Sequence, residues 1–116
     1  MNIFNSTYLI KRYNLFNYLY FNSDLQKKID IEISDKLSSK VGLCYFYMVD
    51  NKIISVHKIV ISKWLIDNFP DEVDNVLLHE MVHMKVGHTK HNKEFKYQMN
   101  ILNSLYGRNI KLKFAN

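Results

Sequence analysis

Residues 71–87, DEVDNVLLHEMVHMKVG, constrain this chain more than any other stretch. Read as a helix, they place Val73, Val76, Leu77, Met81 and Met84 over one broad side and Leu78 and Val82 over much of the rest. A helix that is apolar nearly all round has to be buried, so the fold must be built around it. The acidic residues at its start and Gly87 at its end suit the two termini of one helix. His79, Glu80 and His83 are the polar exceptions, and a buried polar side chain needs a partner.

The spacing of these exceptions says what the partner is. Residues four apart on an α-helix lie about 40° from each other round the axis and one turn apart along it, so both imidazoles can reach a single zinc ion. Glu80 projects beside the first histidine, where its carboxylate can contact water at the metal without ligating the ion. There it can accept that water's proton and later deliver it to a leaving amine. This is the HExxH pattern, with one Zn2+ ion as the expected cofactor and Glu80 as the expected catalytic base.

A catalytic zinc site uses three protein ligands and keeps one position open. Three candidates follow the motif: His88, His91 and Glu94. Continuing the helix would carry His88 about 140° away from His83, so only a particular loop shape could bring it back. His91 leaves room for the chain to reverse after Gly87, and Phe95, four residues later, would pack on the same face. Glu94 is the third alternative, as a helical carboxylate ligand. His57, alone in an extended stretch, reads as structural.

The rest of the chain predicts a small α+β domain. With 116 residues and 47% hydrophobic content there is material for one core, and residues 1–116 are expected to form a single domain. From a cap at Ser6, Leu9, Tyr13, Phe16 and Tyr20 recur at helical spacing, which at this period signals core packing. KKIDIEISD alternates Ile29, Ile31 and Ile33 with polar residues. GLCYFYMV and NKIISVHKIVIS are β-rich, with a turn at Asp50-Asn51 between them. A sheet of three to four strands, antiparallel or mixed, is expected. SKWLIDNF reads as a short helix capped by Ser62 and closed by Pro70. A last helix should start near Asn92, carry Phe95, Met99, Leu102 and Leu105 or Tyr106 inward, and end at Gly107. NIKLKF should follow as a short strand or tail.

Cys44 is the only cysteine, which excludes an intramolecular disulfide and a cysteine-based zinc knuckle within the chain. No secretory signal layout opens the sequence and no apolar run approaches a bilayer span. An intracellular protein is expected, cytoplasmic or nuclear, with no membrane partner. The balance of 16 Lys+Arg against 11 Asp+Glu leaves +5, which permits a polyanionic partner such as DNA without requiring one.

HEMVH followed by HNKEF resembles the SprT-like metallopeptidases, whose eukaryotic members include the Spartan proteases. In that family HExxH on a buried helix is followed by a variable turn and then His-Gly-x-x-Phe opening the next helix. LFNYLYFNSDL, IEISDKLSSKVG and KIVISKWLI resemble the family's upstream helix, first strand with its glycine, and strand and helix before the motif, so the likeness runs from about Tyr8 to Tyr106. It implies a zincin-like fold with His79, His83 and His91 as zinc ligands and Glu80 as general base. It also implies a protein or peptide substrate added along a sheet edge beside the active-site helix, expected at the KIVIS strand. Asn92 departs from the family glycine, and asparagine's tolerance of left-handed backbone would soften that change. The cysteine zinc ribbon of larger members is absent from this sequence, so their DNA-linked role does not transfer with the likeness.

Two other classes are compatible with parts of the sequence. Lys85, Lys90, Lys93 and Lys96 flank the motif and Arg108, Lys111 and Lys113 follow it, a layout a DNA- or RNA-associated domain with a structural metal would use. Alternatively these lysines form an ordinary solvated face. A metal-dependent nuclease of the ribosomal-RNA-maturation type also pairs HxxxH with a later histidine. It has glycine where Glu80 stands, and neither His88 nor His91 has its spacing. Within the peptidase reading, Tyr97, Tyr106 and Arg108 are candidates for stabilising the oxyanion.

Overall fold

The computed structural model of the chain describes residues 3–37 and 40–113. Helix α1 (Ser6–Tyr20) leads into three strands, β1 (Asp30–Ser34), β2 (Gly42–Val49) and β3 (Lys52–Ser62). Then come α2 (Lys63–Asn68), a 3-10 turn (Pro70–Glu72), α3 (Val73–Val86) and α4 (Lys93–Tyr106). The α+β class and the mixed sheet of three strands agree with the expectation.

Strand β3 is central, with β1 parallel on one side and β2 antiparallel on the other. Asp50 and Asn51 join β2 to β3 with φ of 52° and 65°. Positive φ at both central residues is what a tight two-residue hairpin of the primed type requires, and Asp and Asn tolerate it. Between Tyr45 and Met48 the pairing slips twice, leaving His57 and Ile54 of β3 without a partner on β2. His57 is exposed there and lies edge-on to Tyr47.

One placement corrects the expectation about the sheet. Residues 58–62, KIVIS, pair with β1 through Asp30↔Lys58 to Ser34↔Ser62 and with β2 through Gly42↔Ile61 to Tyr45↔Lys58. Both of their backbone edges are taken, so no further strand can add there. The strand that approaches α3 with an outer edge unpaired within the sheet is β2.

Helix α3 lies in the core as its composition demands. Val73, Val76, Leu77, Leu78, Met81 and Val82 are buried, and the helix packs on β2, β3, α1 and α4. Helix α1 contributes Leu9, Tyr13 and Phe16, and its Arg12 clasps Asp74 at the start of α3 with contacts of 2.7 and 3.3 Å. Two caps differ from expectation. Asn5, one residue before Ser6, caps α1 by accepting from the Tyr8 N–H. Asn92 has φ −87° and ψ −167°, extended and not left-handed, and its side chain accepts from the Glu94 and Phe95 N–H groups. A glycine there would leave those donors without this cap, so the departure from the family pattern strengthens the start of α4. Ser62 and Gly87 cap α2 and α3 as read from the sequence.

Helix α4 buries Phe95, Met99 and Leu102, but Leu105 and Tyr106 are exposed, with Tyr106 packed on Tyr20. Residues 109–113 form no strand and return towards α3 with Ile110 buried; Phe114 lies outside the described residues. Among the described residues no helix is long and apolar enough to cross a membrane.

Candidate metal centre

Helix periodicity sets His79 and His83 side by side on α3, their ring centroids 5.0 Å apart. Gly87, with φ 80°, ends the helix, and the short loop after it returns His91 to the same point. His91 Nε2 stands 3.1 Å from His79 Nε2 and 3.1 Å from His83 Nε2. Phe95 is fully buried beneath the group, with ring centroids 4.9, 4.5 and 4.7 Å from those of His79, His83 and His91. It serves as a floor that limits how each imidazole can turn.

The outer nitrogens explain why the inner ones converge. His79 Nδ1 is 2.7 Å from the Lys111 carbonyl, and His83 Nδ1 is 3.1 Å from the His88 carbonyl. A carbonyl only accepts, so each Nδ1 carries the proton and each Nε2 presents a lone pair. Burial pushes both rings down to about 4, with His91 adding its own repulsion to each and His79 adding to it at His83. His91 is lowered too, by burial and then by Lys40 and Lys96. With His91 Nε2 unprotonated as well, three lone pairs face one point and repel unless a cation lies among them. Tetrahedral zinc with bonds of roughly 2.0–2.1 Å spaces its nitrogens about 3.3 Å apart. The three ring nitrogens lie within 4.8 Å of one another, and these histidines could hold a metal.

Glu80 sits beside this cluster at 7% exposure on the wall of a cavity of about 820 Å³. Burial pushes its carboxyl up to about 7, against a smaller opposing pull from Lys40. The cavity is bounded by the start of β2, by Trp64 on α2, by Glu72, Val76 and the histidines, and by residues 111–113.

Of the other residues singled out from sequence, His88 contributes its carbonyl and not its ring, and Glu94 is exposed and caps nothing in the cluster. Tyr97, Tyr106 and Arg108 do not line the cavity. Tyr97 is exposed, and Arg108 donates to the Tyr20 hydroxyl at 2.8 and 3.1 Å and lies over the Phe16 ring, so it is a structural residue. Lys111 is paired with Glu72, which thins the basic surface to Lys85, Lys90, Lys93, Lys96 and Lys113.

In the sequence Gly42 stood out only as the start of a strand and as the glycine that the family resemblance places after the first strand. A Cβ at that position would stand 2.7 Å from Val76 Cγ1 and 3.2 Å from Glu80 Oε2. Its bare backbone is what lets β2 run against the face of α3 that carries Glu80. Val76 is β-branched and cannot swing aside freely. Gly42→Ala should therefore cost about 1–3 kcal/mol, the usual range for overpacking. Urea unfolding measures this, and Val76→Ala in the same chain should recover most of the loss.

Residues 9–114 match the SprT-like family. No curated protein sequence matches the chain. Among solved structures the chain is similar to the crystal structure of the metallopeptidase zymogen of Pyrococcus abyssi abylysin. Identity is 13%, the TM-score is 0.51, and the superposition covers 90% of this chain and 98% of that one. That likeness is one of fold. The family match runs over nearly the whole sequence, including the motif helix and the histidine after it, and the chain belongs to the SprT-like family.

Proposed function

We propose that the chain is a zinc-dependent endopeptidase in which His79, His83 and His91 hold one ion and Glu80 is the general base. The observation that carries this reading is the convergence of three Nε2 atoms next to a buried carboxylate on the wall of an open cavity. Zinc held there would polarise a peptide carbonyl and make water more acidic. Glu80 takes the proton from the attacking water and can return it to the departing amine. The Lys111 and His88 carbonyls keep the two α3 imidazoles in the tautomer that directs Nε2 inward.

The substrate is a peptide laid in extended form along the outer edge of β2, next to Glu80. Gly42 allows that edge its close approach, and strand addition supplies main-chain hydrogen bonds without demanding a particular sequence. Trp64, half exposed on the cavity wall, offers an apolar surface to a substrate side chain.

The test is peptide hydrolysis with defined metal content, read by mass spectrometry on a peptide library. The parent loaded with one equivalent of Zn2+ should cut internal bonds. A chelator should abolish cleavage and added Zn2+ should restore it. The loaded protein should also melt higher than the metal-free form, by about 4 kcal/mol of added stability at a thousandfold excess over Kd. Zinc binding without any cleavage would leave a metal-binding domain and remove the peptidase.

A further inference from the structure

Resting on the proposal that His79 binds metal, the geometry points to Asn103 as a positioning residue for that ligand, although it stands on α4 and does not line the cavity. Its side-chain amide grips both backbone groups of Ile110. Nδ2 donates to the Ile110 carbonyl at 3.1 Å, and the Ile110 N–H donates to Oδ1 at 2.8 Å. The next residue, Lys111, offers its carbonyl to His79 Nδ1 at 2.7 Å.

The chain of cause runs from one side chain to the metal-facing atom. After Gly107 the backbone leaves α4 in a left-handed turn and belongs to no helix or strand. Its peptide groups therefore need partners from elsewhere. Asn103 supplies them as a neighbouring strand would, with one donor and one acceptor in a single plane. Ile110, 3% exposed in the core, and the 2.9 Å pair between Lys111 Nζ and Glu72 secure the same segment on either side of that grip. Together they fix the position of the Lys111 carbonyl, and that carbonyl fixes the tautomer and rotation of His79. Aspartate at 103 keeps the acceptor and loses the donor; leucine loses both.

The test is Zn2+ affinity by competition titration on the full chain, for the parent, Asn103→Asp, Asn103→Leu and Leu9→Ala. Leu9, fully buried on α1, is a control for loss of stability away from the segment. Both Asn103 variants should bind Zn2+ about 10–100-fold more weakly, the usual range for losing such outer support. Leu9→Ala should unfold at lower urea yet keep its affinity. In 15N-histidine-labelled, zinc-loaded protein, the protected Nδ1–H signal of His79 should weaken or shift in the Asn103 variants only. Folded Asn103→Asp with parental affinity and an unchanged His79 signal would overturn the inference, as would an equal loss of affinity in Leu9→Ala. If the parent itself bound no Zn2+, the reading of the three histidines would fail first, which separates the two outcomes.

Discussion

Glu80→Gln should lower peptide hydrolysis by about 10²–10⁴-fold, the range attributable to a general base, while leaving Zn2+ affinity close to the parent's. The substitution keeps the shape of a side chain that is 7% exposed and that Gly42 already hems in. The amide cannot accept the proton from water. The three histidines that could hold a metal do not include Glu80, so the substitution leaves them in place. Stability should move the opposite way from activity. The folded carboxyl is held at about 7 against an ordinary value of 4.5. A carboxyl raised in this way favours the fold most below about pH 4.5, and that contribution is lost as pH rises through about 7. Above that, the metal-free protein carries the cost of a buried carboxylate, on the order of 3 kcal/mol or less. Metal-free Glu80→Gln should therefore resist urea better than the parent at pH 8, with the difference closing below pH 4.5. Cleavage at the parental rate by this variant would rule out Glu80 as the base.

The parts of this arrangement that were legible in the sequence are those set by local geometry. The pairing of His79 with His83 follows from helix spacing, the stop at Gly87 from its tolerance of positive φ, and the hairpin at Asp50-Asn51 from the same cause. The return of His91 was readable because Phe95, one turn later, had to be buried. What escaped was set by contacts distant in sequence or made by the backbone. The KIVIS strand has the composition of either an edge or a centre, and only pairing with β1, more than twenty residues upstream, decides it. The Lys111 and His88 carbonyls orient the His79 and His83 rings, yet every residue has a carbonyl and no side chain marks these two. Arg108 looked available for chemistry because its phenol partner, Tyr20, lies at the other end of the chain. Asn92 was weighed for its backbone when its side chain was what mattered.

The division between His91 and His88 gives the second large effect. His91→Ala should weaken Zn2+ binding by about a hundredfold or more. Structural zinc sites with four ligands bind with roughly 10–16 kcal/mol, so one ligand accounts for roughly 3 kcal/mol. Hydrolysis should fall with it at limiting metal. His88→Ala should do neither, because the atom of His88 that serves the site is its carbonyl, 3.1 Å from His83 Nδ1, and alanine keeps it. The His88 ring nitrogens have no hydrogen-bond partner among the described residues, so truncation breaks no side-chain bond. Its Zn2+ affinity should stay within a few-fold of the parent's, since a neutral hydrogen bond that is kept changes little. Zn2+ titration of both variants beside the parent decides the matter. Equal losses would mean that the turn after Gly87 can present either ring to the metal. A loss confined to His91→Ala would mean that the loop delivers one histidine as a ligand and uses the other for its backbone alone.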